Sequence, residues 1–152
     1  PDGTTLSDGR CFSVTFDDVG VSWTAASDTC VAAGGMLAVI SSEEHNSTLD
    51  ALRVDSCGAA VHVLFGLTDA ATEGTFLWPD GSALGAADYT NWSTGQPDGG
   101  TNENGVELNV PAQWNDTGID DANLKTCFAC SFEPSFDNGV TCSYTVDPAC
   151  VQ

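Results

Sequence analysis

The chain has 152 residues and carries 22 acidic side chains against three basic ones, Arg10, Arg53 and Lys125, for a net charge of −19. That length suits a single domain with a real core, and no apolar run approaches the ~20 residues of a membrane span. The charge argues against nucleic acid and anionic membrane as partners, because both require positive charge to displace counterions. Divalent cations are its natural counterpart, with an acidic surface serving solubility as the plainer alternative.

Residues 11–16 alternate, with Phe12, Val14 and Phe16 on one face and Cys11, Ser13 and Thr15 on the other, the pattern of a half-buried strand. Ser22 is placed to cap a helix in which Trp23, Ala26, Cys30 and Ala33 recur at helical spacing, and Gly34-Gly35 stops it. After the apolar run 36–40, Ser41 and Glu44 have capping-box spacing for a second helix, with Leu49 and Leu52 buried and His45 on its exposed side. Residues 61–67 read as a strand with His62 alternating outward, and 76–78 lead to a turn at Asp80-Gly81. From about 79 to 113 the periodicity fails and Gly, Asn, Asp, Thr and Pro dominate. A loop that long within a compact domain is generally functional. A last strand, 125–132, closes the domain, and a tail from 133 to 152 adds Cys142 and Cys150. No internal repeat or second domain is expected.

Seven cysteines lack the paired short spacings of zinc sites: Cys127 and Cys130 form a C-x-x-C, but no second pair or nearby His completes four ligands. A secreted, disulfide-stapled domain is the better reading. Three N-x-S/T sequences, beginning at Asn46, Asn91 and Asn115, agree with that compartment. Starting at Pro1, the chain reads as processed or as a piece of a longer one. Catalysis is not expected. Neither of the two histidines, His45 and His62, has a nucleophile near it in motif, and Glu43-Glu44 read as first-turn helix acids.

Within and after the aperiodic stretch, Gln96, Asp98, Glu103, Asn115 and Asp116 all offer side-chain oxygens. None is a good ligand for a soft metal. Such a set suits a hard cation that takes six to eight oxygens, which points to Ca²⁺. Gly99-Gly100-Thr101-Asn102, between the first acids, is a loop by composition and so can fold around an ion.

The order of motifs resembles the C-type lectin-like domain. It is carried by Cys30, Gly34-Gly35 with Leu37-Ala38, Glu43-Glu44, Phe65-Gly66-Leu67, Glu73-Gly74 with Trp78, Asp80-Gly81, Asn91-Trp92, Gln96-Pro97-Asp98, and Trp114-Asn115-Asp116 before a terminal Cys. The resemblance implies an α+β fold over residues 1–132, with two helices, small antiparallel sheets, a long calcium-binding loop region and neighbouring termini. Residues 133–152 would be a cysteine-containing tail packed on the domain or extending from it. It also implies a calcium site made by Gln96, Asp98, Glu103, Asn115 and Asp116, with Pro97 cis. The first four would also contact carbohydrate, two sugar hydroxyls completing the ion's shell. The order Gln then Asp is the one the family associates with galactose-like sugars. Single-site affinity would be weak, so an oligomer or larger extracellular assembly would supply avidity. The alternative is a protein-binding or assembly module that keeps the fold without sugar binding.

The same resemblance suggests a second calcium site from Asp69 and Glu73, with Asn104 standing in for an Asp and Gly99 at a position that is acidic where the site is complete. Two departures stand out. No Trp or Tyr lies between Asp98 and Glu103 to stack on a sugar, and Tyr89, Trp92 and Trp114 read as core. The inner disulfide of the loop region has Gly105 and Ile119 at its two positions. Cys30 is expected to bridge to the final strand. Cys130 is the preferred partner, because Phe128 then falls on the strand and Asn123-Leu124-Lys125 sits where the family has similar residues; Cys127 fits without an insertion, so both stay open. The pairing of Cys11, Cys57, Cys142, Cys150 and the cysteine left over is undetermined, and an odd count leaves one thiol free or paired between chains.

Overall fold

The computed structural model describes residues 4–120 and 124–133. Asn123 and the cysteine-bearing tail from residue 134 onward lie outside the described residues. The elements in chain order are β1 (Thr4–Thr5), β2 (Cys11–Val21), α1 (Trp23–Ala32), β3 (Met36–Leu37), α2 (Glu43–Cys57), β4 (Val63–Thr68), β5 (Gly105–Leu108), β6 (Trp114–Thr117) and β7 (Lys125–Phe132).

Helix α1 begins where expected, with the Ser22 side chain accepting the N–H of Ala25, and Gly34 follows at φ +83°. The αL conformation available to glycine explains the stop. Helix α2 is capped one residue later than the spacing suggested. Ser42, not Ser41, accepts the His45 N–H, at 3.2 Å, while the Ser41 side chain lies 3.3 Å from His45 Nδ1. His45 is buried rather than exposed. The N-terminal segment folds over the start of α2, putting Asp8 Oδ2 3.3 Å from His45 Nε2 and the Phe12 ring edge-on to the imidazole. That long-range contact has no local sequence signature.

The strands form one seven-stranded sheet in the order β1-β2-β7-β4-β5-β6, with β3 also on β7, in place of separate small sheets. All pairings are antiparallel except β4 with β7. Cys11 is the register partner of Phe132, so the two ends of the domain lie side by side. Strand β5 falls inside the stretch 79–113 that shows no periodicity. All four of its residues are buried, Glu107 included, so the alternation that marks a half-exposed strand is absent. Glu107 is partnered there, with His62 Nδ1 2.9 Å from its Oε1 and the Lys125 ammonium 3.0 Å from its Oε2.

Trp114 is fully buried at the centre of an aromatic cluster, with ring centroids of Phe65 at 5.2 Å, Trp92 at 5.6 Å, Tyr89 at 5.9 Å and Trp78 at 6.1 Å. The three aromatics read as core therefore do pack into it. Cys30 is bonded to Cys130 and Cys57 to Cys127, and Cys11 is disulfide-bonded as well, so all five described cysteines are used. Bridges across 100 and 70 residues remove much loop entropy from the unfolded chain. Gly105 and Ile119, which hold the two positions of the family's inner disulfide, stand together: a Cβ on Gly105 would meet Ile119 Cγ2 and Trp23 Cδ1, each at 2.9 Å. Close apolar packing occupies the place of that bridge.

Candidate functional site

The aperiodic stretch is ordered by turns and not by a core of its own. Ser93 N donates to Trp114 O, Trp114 N donates to Asn91 O, and Gln96 N donates back to Ser93 O, which ties the loop to β6 just before Gln96. The Gln96–Pro97 bond is cis, as the resemblance implies. The loop then turns through a short 3-10 segment, Gly100–Asn102, into β5.

Three carboxylates converge at this point. Ligand oxygens of Asp98, Glu103 and Asp116 lie within 4.8 Å of one another, the first exposed, the second half-buried and the third buried. Each comes from a different piece of chain: the loop, the residue after the 3-10 segment, and β6. Asp116 is held in place by two loop donors, its Oδ1 accepting the Asp98 N–H at 3.2 Å and its Oδ2 the Gly99 N–H at 2.8 Å. Gly99 is required by the close approach, since a Cβ there would come within 2.2 Å of Glu103 Cβ and Oε2. Burial pushes the Glu103 carboxyl above its ordinary range, helped by the charges of Asp116, Asp98 and Glu107 and opposed by Lys125.

The carboxamides stand beside them. Gln96 Nε2 donates to Asp98 Oδ1 at 2.8 Å, whereas Gln96 Oε1 is buried and has no hydrogen-bond partner. Asn115 Nδ2 donates to the Asp116 backbone oxygen at 2.7 Å. Like charges this close repel unless something positive joins them, and a buried amide oxygen without a donor is costly. An oxygen-seeking divalent cation relieves both, so the donor set fits Ca²⁺.

The residues suggested for a second site are differently arranged. Asp69 is buried, its Oδ2 accepting the Gly74 N–H while its Oδ1 has no partner. The Asp69 N–H donates to Asn104 O, so these two segments adjoin, but Asn104 Nδ2 is turned to Thr101 O and Glu73 sits on an exposed turn. Gly99 contributes no carboxylate to this group.

Each asparagine of the three N-x-S/T sequences uses its amide nitrogen in a hydrogen bond to a backbone carbonyl: Asn46 and Asn91 to Ala112 O, Asn115 to Asp116 O. Asn46 is buried besides. Of these acceptor sequences, the first two have their asparagines engaged by tertiary contacts that no local pattern announces, whereas Asn115 bonds to its own neighbour.

The family model for the lectin C-type domain matches residues 19–132. Among curated relatives, the alpha-N-acetylgalactosamine-specific lectin of Patiria pectinifera is 30% identical over 132 residues, covering 81% of this chain and 76% of that protein. Pulmonary surfactant-associated protein D of Sus scrofa is 35% identical over 120 residues, 76% of this chain; the chain spans only 28% of that protein's length. Among solved structures, the C-type lectin CEL-I from Cucumaria echinata superposes with a TM-score of 0.73 at 25% identity, covering 88% of this chain and 96% of that one. The herring type II antifreeze protein has the same fold, with a TM-score of 0.74 at 24% identity and coverage of 88% and 98%.

Proposed function

The chain belongs to the lectin C-type domain family, and from that membership we propose that it is an extracellular, calcium-dependent carbohydrate-binding domain of galactose type. The observation that carries the reading is the convergence of Asp98, Glu103 and Asp116 within 4.8 Å beside the unpartnered oxygen of Gln96. Gln96, Asp98, Glu103, Asn115 and Asp116 would hold the ion. Ca²⁺ bound there would offer coordination positions for two neighbouring sugar hydroxyls. Around it, Asp98 and Glu103 accept hydrogen bonds from those hydroxyls, and the amide groups of Gln96 and Asn115 donate to them. Galactose selectivity follows from the order of donor and acceptor along Gln96-Pro97-Asp98.

Several further features fit this account. Three relatives are named as lectins or as a surfactant-associated protein, one of them specific for alpha-N-acetylgalactosamine and one for galactose. The described disulfides suit an oxidising, extracellular setting. No helix among the described residues is long and apolar enough to cross a membrane. With no aromatic ring between Asp98 and Glu103, single-site affinity is weak, and several copies acting together supply avidity. The orphaned Oδ1 of Asp69 supports a second, weaker calcium site with Glu73 and Asn104. Residues 1–132 form the lectin domain and 133–152 its tail.

Galactose-agarose provides the test. Retention in millimolar calcium and release by EDTA are expected. Binding that survives EDTA, or calcium binding by calorimetry without sugar binding, would favour a protein-binding or assembly module instead.

A further inference from the structure

Two asparagines from different elements converge on one carbonyl. Asn46 on α2 and Asn91 at the foot of the loop both donate from Nδ2 to Ala112 O, at 3.0 and 2.8 Å. Ala112 is the one described non-glycine residue at positive φ, +68°, in the turn joining β5 to β6. Asn46 Oδ1 in turn accepts the Trp114 indole N–H at 2.8 Å, and Asn91 O accepts the Trp114 backbone N–H at 2.8 Å. Trp114 immediately precedes Asn115 and Asp116, while Asn91 lies five residues before Gln96. Besides the Ser93 N–H on Trp114 O, the two halves of the carboxylate cluster, one on the loop and one on β6, are bridged at two further places. One bridge is the grip of Asp116 on the Asp98 and Gly99 N–H groups, made by the cluster itself. The other is the Asn91 clasp, made by residues outside it.

We propose that Asn91, supported by Asn46, is a positioning residue for the cation site: by fixing the β5–β6 turn and Trp114 against the loop, it sets the spacing between Gln96/Asp98 and Asn115/Asp116. The inference rests on the calcium reading above. Like the outer partners of metal ligands elsewhere, the clasp leaves the ligand set unchanged and governs how well its members are aimed.

The test compares Asn91→Ala with the wild-type protein in two measurements, the Ca²⁺ dissociation constant by calorimetry well below the melting temperature, and the melting temperature in EDTA. Loss of the donor should raise the dissociation constant about tenfold, with galactose-resin retention requiring correspondingly more calcium. A variant that melts earlier in EDTA yet binds calcium within twofold of wild type would overturn the proposal, because the clasp would then be structural only. Should Asn91→Ala fail to fold, the milder Asn91→Ser, which keeps a short donor, is read by the same two outcomes. If the wild-type protein itself binds no calcium, the cation reading fails, which is distinguishable from failure of the clasp.

Discussion

Asp116 and Gly99 stand 17 residues apart in the chain, yet the Gly99 N–H donates to Asp116 Oδ2 at 2.8 Å. With the Asp98 N–H on Oδ1, the most buried carboxylate of the cluster is oriented by backbone donors alone. Charge-assisted bonds of this kind are among the stronger ones.

Asp116 and Asp98 should therefore respond differently to substitution. Asp116→Asn turns one carboxylate oxygen into a donor facing a donor, so it should weaken calcium binding more than tenfold and also cost about 1–3 kcal/mol of metal-free stability. Asp98→Ala removes a ligand but keeps the backbone N–H that Asp116 accepts. It should abolish tight calcium binding and leave the melting temperature in EDTA nearly unchanged. Equal losses of metal-free stability in the two variants would contradict the distinction.

Gly99→Ala tests the close approach. Its Cβ would come within 2.2 Å of Glu103 Cβ and Oε2, and because the backbone fixes that Cβ, the loop backbone must shift and carry the Glu103 carboxylate from its present position. Calcium affinity should drop at least tenfold while far-UV spectra and the disulfide-linked core stay native. An alanine variant with wild-type calcium affinity would show that Glu103 is not required where it stands.

The Glu103 carboxyl sits above its ordinary range, first through burial and then through Asp116, Asp98 and Glu107. An acid raised in this direction contributes stability that is present below the ordinary glutamate range and is lost as pH rises through the raised value. In EDTA, Glu103→Gln should therefore melt above wild type at neutral pH, with the advantage shrinking as the pH falls towards the ordinary glutamate range. In calcium the order should reverse. Protons compete with the ion at Glu103, so wild-type calcium affinity should begin to decline at a higher pH than an unperturbed carboxylate would produce. A Glu103→Gln protein that gains nothing in EDTA would count against the clustering of charge.

Ala112 occupies a left-handed conformation at φ +68°. That conformation costs an L-residue about 1–2 kcal/mol, and glycine gives back part of the relief through its freer unfolded chain. Ala112→Gly should raise stability by roughly 0.5–1 kcal/mol by denaturant titration, with calcium affinity intact. A loss of stability would mean that the Ala112 methyl packs better than its backbone conformation suggests.

Much of this molecule was legible in one dimension because its signals are local. The Ser22 cap, the Gly34 stop and the run 125–132 each express a short-range rule, and each element formed close to where it was expected; the strand at 11–16 formed too, but with Ser13 buried and Phe16 exposed, against the alternation of its residues. The oxygen-only character of Gln96, Asp98, Glu103, Asn115 and Asp116 is likewise a property of residue types. Strand β5 was hidden, since four buried residues including a twice-paired glutamate carry no alternation. His45 was misjudged for the same reason, its cover being supplied by Asp8 and Phe12 from elsewhere in the chain.

The sequence by itself determined the chemistry on offer: which groups could ligate, which segments could be helix or strand, and that disulfides would staple them. Only the tertiary structure decided that Cys30 takes Cys130 and leaves Cys127 to Cys57, that Asp98, Glu103 and Asp116 meet, and that Asn46 and Asn91 share one carbonyl. The physical reason is distance along the chain. Contacts between residues tens of positions apart follow from how the sheet and the aromatic cluster around Trp114 close upon one another, and no local pattern encodes that closure.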